Sequence, residues 1–274
     1  MNYHRRGAAS ARLRPTQMRV MGVLNATPDS FWADSRFDVS ALAVAAGRRM
    51  FDAGAWAVDI GGESTRPGAV PVSVDQELAR VLPVVGGLAH LGTVSVDTRN
   101  REVAEEAVRA GAGIINDVSG KLYDLAGRLG VGYVSVHSQT VPVLAGVFPE
   151  YEDVVGEVAC YVTSVAQAAA TGGAGPVWID PGIGFGKSPQ DNLELLRRLP
   201  ELCDQGFPVL LGVSRKSFIG SITGRTVDDR LAGSLAVVAP AWSAGVDVIR
   251  VHDVAETLDT IAMLQAIWGP PPGP

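Results

Sequence analysis

Two aspartates, an asparagine and a lysine recur in one local setting along this 274-residue chain. Each stands at or just beyond the end of a short Val/Ile/Leu run, before a polar or glycine-rich turn. They are Asp97, Asn116, Asp180 and Lys216. A carboxylate accepts two parallel N–H bonds, a carboxamide both donates and accepts, and an ammonium donates to a ring carbonyl or nitrogen. The set suits a flat heterocycle rich in N–H donors and carbonyl acceptors. A second set, Asn25, Arg250 and His252, closes the first and last apolar runs. An amide, a cation and an imidazole suit a phosphate or pyrophosphate group, with Asn25 available to Mg²⁺. No Cys or Ser stands beside an evident general base, so covalent catalysis is not indicated.

Eight apolar runs must position these residues: 19–24, 56–60, 93–97, 113–117, 133–137, 177–180, 208–213 and 246–252. Helical patterns separate them. Leu42, Ala45, Ala46 and Met50 recur at helical spacing behind Asp38, and Ser73 with Gln76 predicts a capping box. Further helices are expected over 100–110, up to Leu129, over 151–170, over 189–203 behind Ser188, and to Ser243 with a break near Gly224. The last, capped by Asp253 and Glu256, runs to Ile267. Continuous Val/Ile-rich strands fit a parallel sheet buried on both faces, and eight βα units predict a (β/α)8 TIM barrel. An open doubly wound sheet is the alternative. In a barrel the strand ends share one mouth, which would gather Asn25, Arg66, Asp97, Asn116, His137, Asp180, Lys216, Arg250 and His252. Asp117 and Asp253 are assigned mainly to structural work.

Gly186-Lys187-Ser188 matches the end of a nucleotide P-loop, but Pro181 stands where that motif needs a glycine, so the P-loop is rejected. Three of the 23 basic residues are lysines, Lys121, Lys187 and Lys216, which hints at places where a compact point charge is needed. A net charge of −6 argues against general nucleic-acid binding, and an apolar fraction of 47% supports a large core. No apolar run reaches the ~18–20 residues of a membrane span. Cys160 and Cys203 read as buried thiols in a reducing compartment. Residues 1–17 read as a flexible arm, 18–268 as the barrel domain and 269–274 as a disordered tail.

These stretches resemble the dihydropteroate synthase family. The resemblance rests on Gly22-Val-Leu-Asn-Ala-Thr-Pro-Asp-Ser-Phe31, Asp59-Ile-Gly-Gly-Glu-Ser-Thr-Arg-Pro-Gly68, Ser95-Val-Asp-Thr98 and Ile114-Ile-Asn-Asp-Val-Ser-Gly120. It continues through Asp180-Pro-Gly-Ile-Gly-Phe-Gly-Lys187, Gly212-Val-Ser-Arg-Lys-Ser217 and Ile249-Arg-Val-His-Asp-Val254. It implies a TIM barrel that condenses 6-hydroxymethyl-7,8-dihydropterin pyrophosphate with p-aminobenzoate, a cytoplasmic homodimer and a sulfonamide target. By resemblance, Asp97, Asn116, Asp180, Phe185, Gly212 and Lys216 hold the pterin, while Asn25, Arg250 and His252 hold the pyrophosphate and Mg²⁺. Thr65, Arg66, Pro67, Ser214 and Lys216 would bound the p-aminobenzoate site. Lys216, Asp97, Arg250 and Asn25 would carry catalysis.

Two loops depart from the family pattern. After Phe31 the chain reads Trp32-Ala33-Asp34-Ser35, where the family usually has Ser, Asp and two glycines. After strand five, His137 stands between Val136 and Ser138, with Gln139 and Pro142 surviving from the following run. The alternative reading is therefore a paralogue that binds pterin but uses another acceptor or none. A methyltetrahydrofolate-binding methyltransferase barrel would not need Asn25, Arg250 and His252 as an anion set.

Overall fold

The computed structural model describes residues 18–27, 39–63, 71–141 and 147–269. Eight strands alternate with helices along the chain. They are β1 (Arg19–Asn25), β2 (Ala57–Gly61), β3 (Thr93–Asp97), β4 (Ile114–Asp117), β5 (Gly132–Val136), β6 (Val177–Asp180), β7 (Leu210–Gly212) and β8 (Val248–Val251). All pairings are parallel, in the order β6-β5-β4-β3-β2-β1-β8-β7. A parallel bridge between Ile179 and Val209 joins the two ends, with the Ile179 N–H donating to the Pro208 carbonyl at 3.0 Å. That closes the sheet, so the barrel stands and the open sheet is excluded.

Strand alternation sorts side chains to the two sides of the barrel wall. Val20, Val58, Ile60, Val94, Val96, Ile115, Ile179, Leu211 and Ile249 point outward into the core shared with the helices. Met21, Ala57, Ile114, Val134, Trp178, Leu210 and Val248 fill the barrel interior. The alternation then delivers polar residues at the upper end of that interior. Asn25 pairs in register with Gly61, Gly61 with Asp97, Asp97 with Asn116, Val136 with Asp180, and Gly212 with Arg250. The lower end is closed by Trp56 and Trp178, ring centroids 5.6 Å apart, beneath the Arg19 guanidinium at 4.1 Å from the Trp56 ring.

The outer ring is α1 (Val39–Asp52), α2 (Val74–Leu88), α3 (Arg101–Arg109), α4 (Tyr123–Leu129), α5 (Val154–Thr171), α6 (Pro189–Arg197), α7 (Leu199–Cys203), α8 (Ser217–Thr223), α9 (Leu231–Ala244) and α10 (Val254–Trp268). The expected Ser73–Gln76 capping box forms on α2, and Ser188, expected as a helix cap, makes a full box with Asp191 on α6. The Ser188→Ala variant is expected to lose ~1 kcal/mol of stability, checked by urea unfolding, because it orphans a first-turn N–H. Gly224, at φ 71°, ends α8 as anticipated.

Three expectations are corrected. The single helix over 189–203 is two helices. Pro200 has no N–H for the carbonyl four residues back, and the chain breaks at Arg198 with φ −104° and ψ 22°. Asp253 sits at the start of α10 without a side-chain cap, because its carboxylate takes a fork from Arg215 at 3.0 and 2.7 Å. Cys160 is exposed, since the face of α5 on the barrel is built from Val155, Val158, Val162, Ala166 and Ala169. That helix has the length and apolarity of a membrane span by composition, but this face is part of the barrel core.

Candidate active site

The strand ends converge on one buried ion cluster. Arg250 rises from β8 and reaches across the barrel: its Nε donates to Asp59 Oδ2 at 2.6 Å and its Nη2 to Asp97 Oδ2 at 2.6 Å. Asn116 Nδ2 donates to the same Asp59 oxygen at 2.9 Å. Asp59 is fully buried, yet its second oxygen has no hydrogen-bond partner among the described residues, and neither has Asn116 Oδ1. Burial pushes the Asp97 carboxyl above its ordinary range; the Arg250 guanidinium pulls it back, and the neighbouring Asp59 adds to the rise. Arg250 itself stays charged, because its two carboxylates outweigh its burial.

Beside this cluster stand the ends of β6 and β7. Asp180 Oδ1 accepts the Gly182 N–H at 2.7 Å, and burial raises its pKa. A Cβ added at Gly212 would sit 3.7 Å from Asp180 Oδ2 and 4.0 Å from the Arg250 side chain, so glycine keeps this wall flat. Lys216 enters from beyond β7 with its ammonium 4.2 Å from the centre of the Phe185 ring. Gly184, at φ 81°, passes so close that a Cβ there would lie 3.1 Å from Lys216 Cδ. Burial pulls the Lys216 ammonium down to about 8, Arg250 adding to the fall while Asp180 and Asp97 oppose it.

The third part joins β1, β7 and β8. Ser214 Oγ lies 3.0 Å from His252 Nδ1 and accepts the His252 backbone N–H at 3.2 Å, fixing the ring against the strand-seven loop. The Asn25 carboxamide oxygen is 3.9 Å from where a Gly61 Cβ would stand, beside the Asp97 strand. Buried acceptors, a lysine, a cation and a ring-flat wall therefore share one mouth.

The family description for pterin binding enzymes matches residues 21–252, which spans all of these elements. Dihydropteroate synthase of Escherichia coli (strain K12) is 42% identical over 256 residues, covering 90% of this chain and 90% of that enzyme. The chain belongs to the dihydropteroate synthase family. Two solved structures of the Xanthomonas albilineans member agree. One, with 4-aminobenzoic acid, superposes at a TM-score of 0.86 with 44% identity over 93% of this chain and 94% of that one. The other, in complex with 7,8-dihydropteroate, gives 0.84 and 42% over 93% and 95%.

Within this family member the structure brings together Asp97, Asn116, Asp180, Lys216, Gly212, Phe185 and Arg250, and sets Asn25, Ser214 and His252 beside them. Thr65, Arg66, Pro67, the Trp32–Ser35 departure and Pro142 lie outside the described residues. The sequence reading missed Asp59. Its signal was a charge inside an apolar strand, two residues before Gly61 and so on the same interior face. The sequence reading also kept pterin and anion sets apart, whereas Arg250 ties them together through Asp97. Asp117 does prove structural: its carboxylate takes the N–H groups of Ser119, Lys121 and Leu122 and the Tyr133 hydroxyl. Lys187 is not in the mouth. It is 3% exposed, turned back under its own glycine-rich loop.

No group of three or more His, Cys, Asp or Glu side chains suited to a metal occurs among the described residues. A lone carboxamide, Asn25, fits a hydrated ion carried on a diphosphate and does not fit a protein cage.

Proposed function

We propose that this chain condenses 6-hydroxymethyl-7,8-dihydropterin pyrophosphate with p-aminobenzoate to give 7,8-dihydropteroate and pyrophosphate, as a cytoplasmic enzyme. The observation that carries the reading is the buried Asn116 oxygen, without a partner among the described residues, at the end of a strand paired in register with Asp97, whose carboxylate shares Lys216 as an electrostatic neighbour with Asp180. A buried acceptor left unpaired costs ~1–3 kcal/mol, which a ligand N–H would offset.

Asp180 and Asn116 would accept N–H bonds from the amino-pyrimidine edge, Asp97 would hold the other ring, and Lys216 would donate to a pterin carbonyl or nitrogen. Phe185 packs against the same lysine. Arg250 and His252 would face the diphosphate. The methylene carbon–oxygen bond breaks with its electron pair leaving on pyrophosphate. The arylamine nitrogen then forms the new bond to that carbon and gives up one proton. Positive charge aimed at the departing oxygens lowers this barrier. Bound Mg²⁺ would neutralise diphosphate charge, with Asn25 as a protein oxygen ligand. Thr65, Arg66, Pro67 and Ser214 would bound the acceptor. A homodimer is part of the reading, supported by exposed Met263, Ile267 and Trp268 on α10.

A Lys216 donor predicts a pH signature. Its ammonium exists in the free enzyme below about 8 and is lost above it. kcat/KM for the pterin pyrophosphate should therefore fall on the alkaline side, since that ratio reports the free enzyme. The Lys216→Arg variant should keep a flat alkaline side, though at lower activity. A wild-type profile flat to about pH 10 would mean an unshifted lysine, and an alkaline fall that persists unchanged in Lys216→Arg contradicts the donor role.

A further inference from the structure

Lys187 carries no role in the reaction as derived above, yet it is among the most enclosed titratable groups in the molecule, and burial pulls its ammonium down to about 7. Its ammonium donates to the Gly182 carbonyl at 2.9 Å and contacts His137 Nδ1 at 2.9 Å. The carbonyls of Phe185 and His137 lie at 3.3 and 3.4 Å. These four acceptors come from two elements: the end of β5, and the turn 181–187 that leaves β6. Within the turn, the Phe185 N–H also donates to the Gly182 carbonyl at 3.0 Å, and Asp180 Oδ1 takes the Gly182 N–H at 2.7 Å. Gly182, Gly184 and Gly186 all have positive φ, at 65°, 81° and 59°, and a Cβ at Gly182 would run into the His137 carbonyl.

His137 is fitted to receive this lysine. Its ring packs edge-on against Tyr161 at 5.1 Å and 87°, and its backbone N–H is tied to the Asp180 carbonyl at 3.0 Å. Burial and the adjacent lysine push the imidazole down to about 3, so it is neutral and its Nδ1 accepts. On the far side, Asn192 seals the loop by accepting the Gly184 N–H at 2.7 Å and donating to the Lys187 carbonyl at 3.2 Å. What the turn presents to the mouth is Phe185, whose ring carries the Lys216 ammonium on its face.

We infer that Lys187 is a positioning residue: by gathering the Gly182 and Phe185 carbonyls onto His137, it fixes the Phe185 ring and through it Lys216. This rests on the reading of Phe185 and Lys216 as walls of the substrate site. A glycine turn that can relax by about 1 Å would misplace that wall, and misplacements of that size cost up to about a hundredfold in rate.

A double-mutant cycle in kcat/KM for pterin pyrophosphate tests it, using Lys187→Met, Phe185→Ala and the pair. Each single variant should lose about tenfold, while the pair should fall no further than Phe185→Ala alone, to within about twofold, because residues acting through one another do not add. Should Lys187→Met not fold, as judged by circular dichroism, Lys187→Gln replaces it. That side chain keeps two N–H donors and should give a smaller single loss with the same non-additivity. Multiplying losses, or wild-type kcat/KM in the Lys187 variant, overturn the proposal. Wild-type kcat/KM in Phe185→Ala alone instead removes Phe185 as a site wall, and the proposal falls with it.

Discussion

Arg250→Ala is expected to be the most damaging single change in the mouth, in stability and in activity together. The guanidinium is the shared partner of Asp59, which is fully buried, and of Asp97. Without it, two neighbouring carboxylates face each other with no cation between them. Removing one partner of a buried pair costs roughly 3–5 kcal/mol, because the remaining charge stays desolvated. Asn116 would also lose its orientation, since it donates to the same Asp59 oxygen. Binding of the pterin pyrophosphate should fall, and binding of the pterin without its diphosphate should fall as well, because the damage reaches Asp97. Urea unfolding and calorimetry with both ligands check this. A variant that unfolds like the parent and loses affinity for the diphosphate ester alone would mean that Arg250 serves the anion only.

Asp180→Asn is expected to separate binding from folding. One oxygen of Asp180 holds the Gly182 N–H at 2.7 Å, a bond the asparagine carbonyl can keep. The other, beside Gly212, is proposed to meet the pterin edge. The carboxylate is buried, and that burial already disfavours its charge. Neutralising it should leave stability within about 1 kcal/mol of the parent. Affinity for pterin should drop by ~1.5–3 kcal/mol, the worth of a hydrogen bond to a charged group. Calorimetry giving parental affinity would remove Asp180 from the pterin site.

The barrel was legible because continuous apolar runs, each followed by a helical pattern, are local properties of the chain; its closure through the Ile179–Val209 bridge is seen in the structure alone. Asp97, Asn116, Asp180 and Lys216 were legible for the same reason, as polar residues ending or following such runs. Asp59 was not. A carboxylate flanked by Val58 and Ile60 gains its meaning from Arg250, whose partner lies 191 positions away in the chain. Lys187 looked like a site lysine by its neighbours, but the left-handed glycines around it turn the chain back, and the ammonium ends among backbone carbonyls. Asp253 looked like a helix cap until Arg215, at φ 56°, brought a guanidinium to it. The Asp59 and Asp253 misses are long-range electrostatic pairings that no local pattern encodes.

Pyrophosphate release tests the central claim most directly. Purified protein is given dihydropterin pyrophosphate and Mg²⁺, with and without p-aminobenzoate, and free pyrophosphate is followed continuously. A synthase built on this mouth should release pyrophosphate with p-aminobenzoate present, in step with 7,8-dihydropteroate, and should lose that release in Arg250→Ala. Tight binding of the pterin pyrophosphate with no p-aminobenzoate-dependent pyrophosphate would contradict the assignment and leave a pterin-binding paralogue.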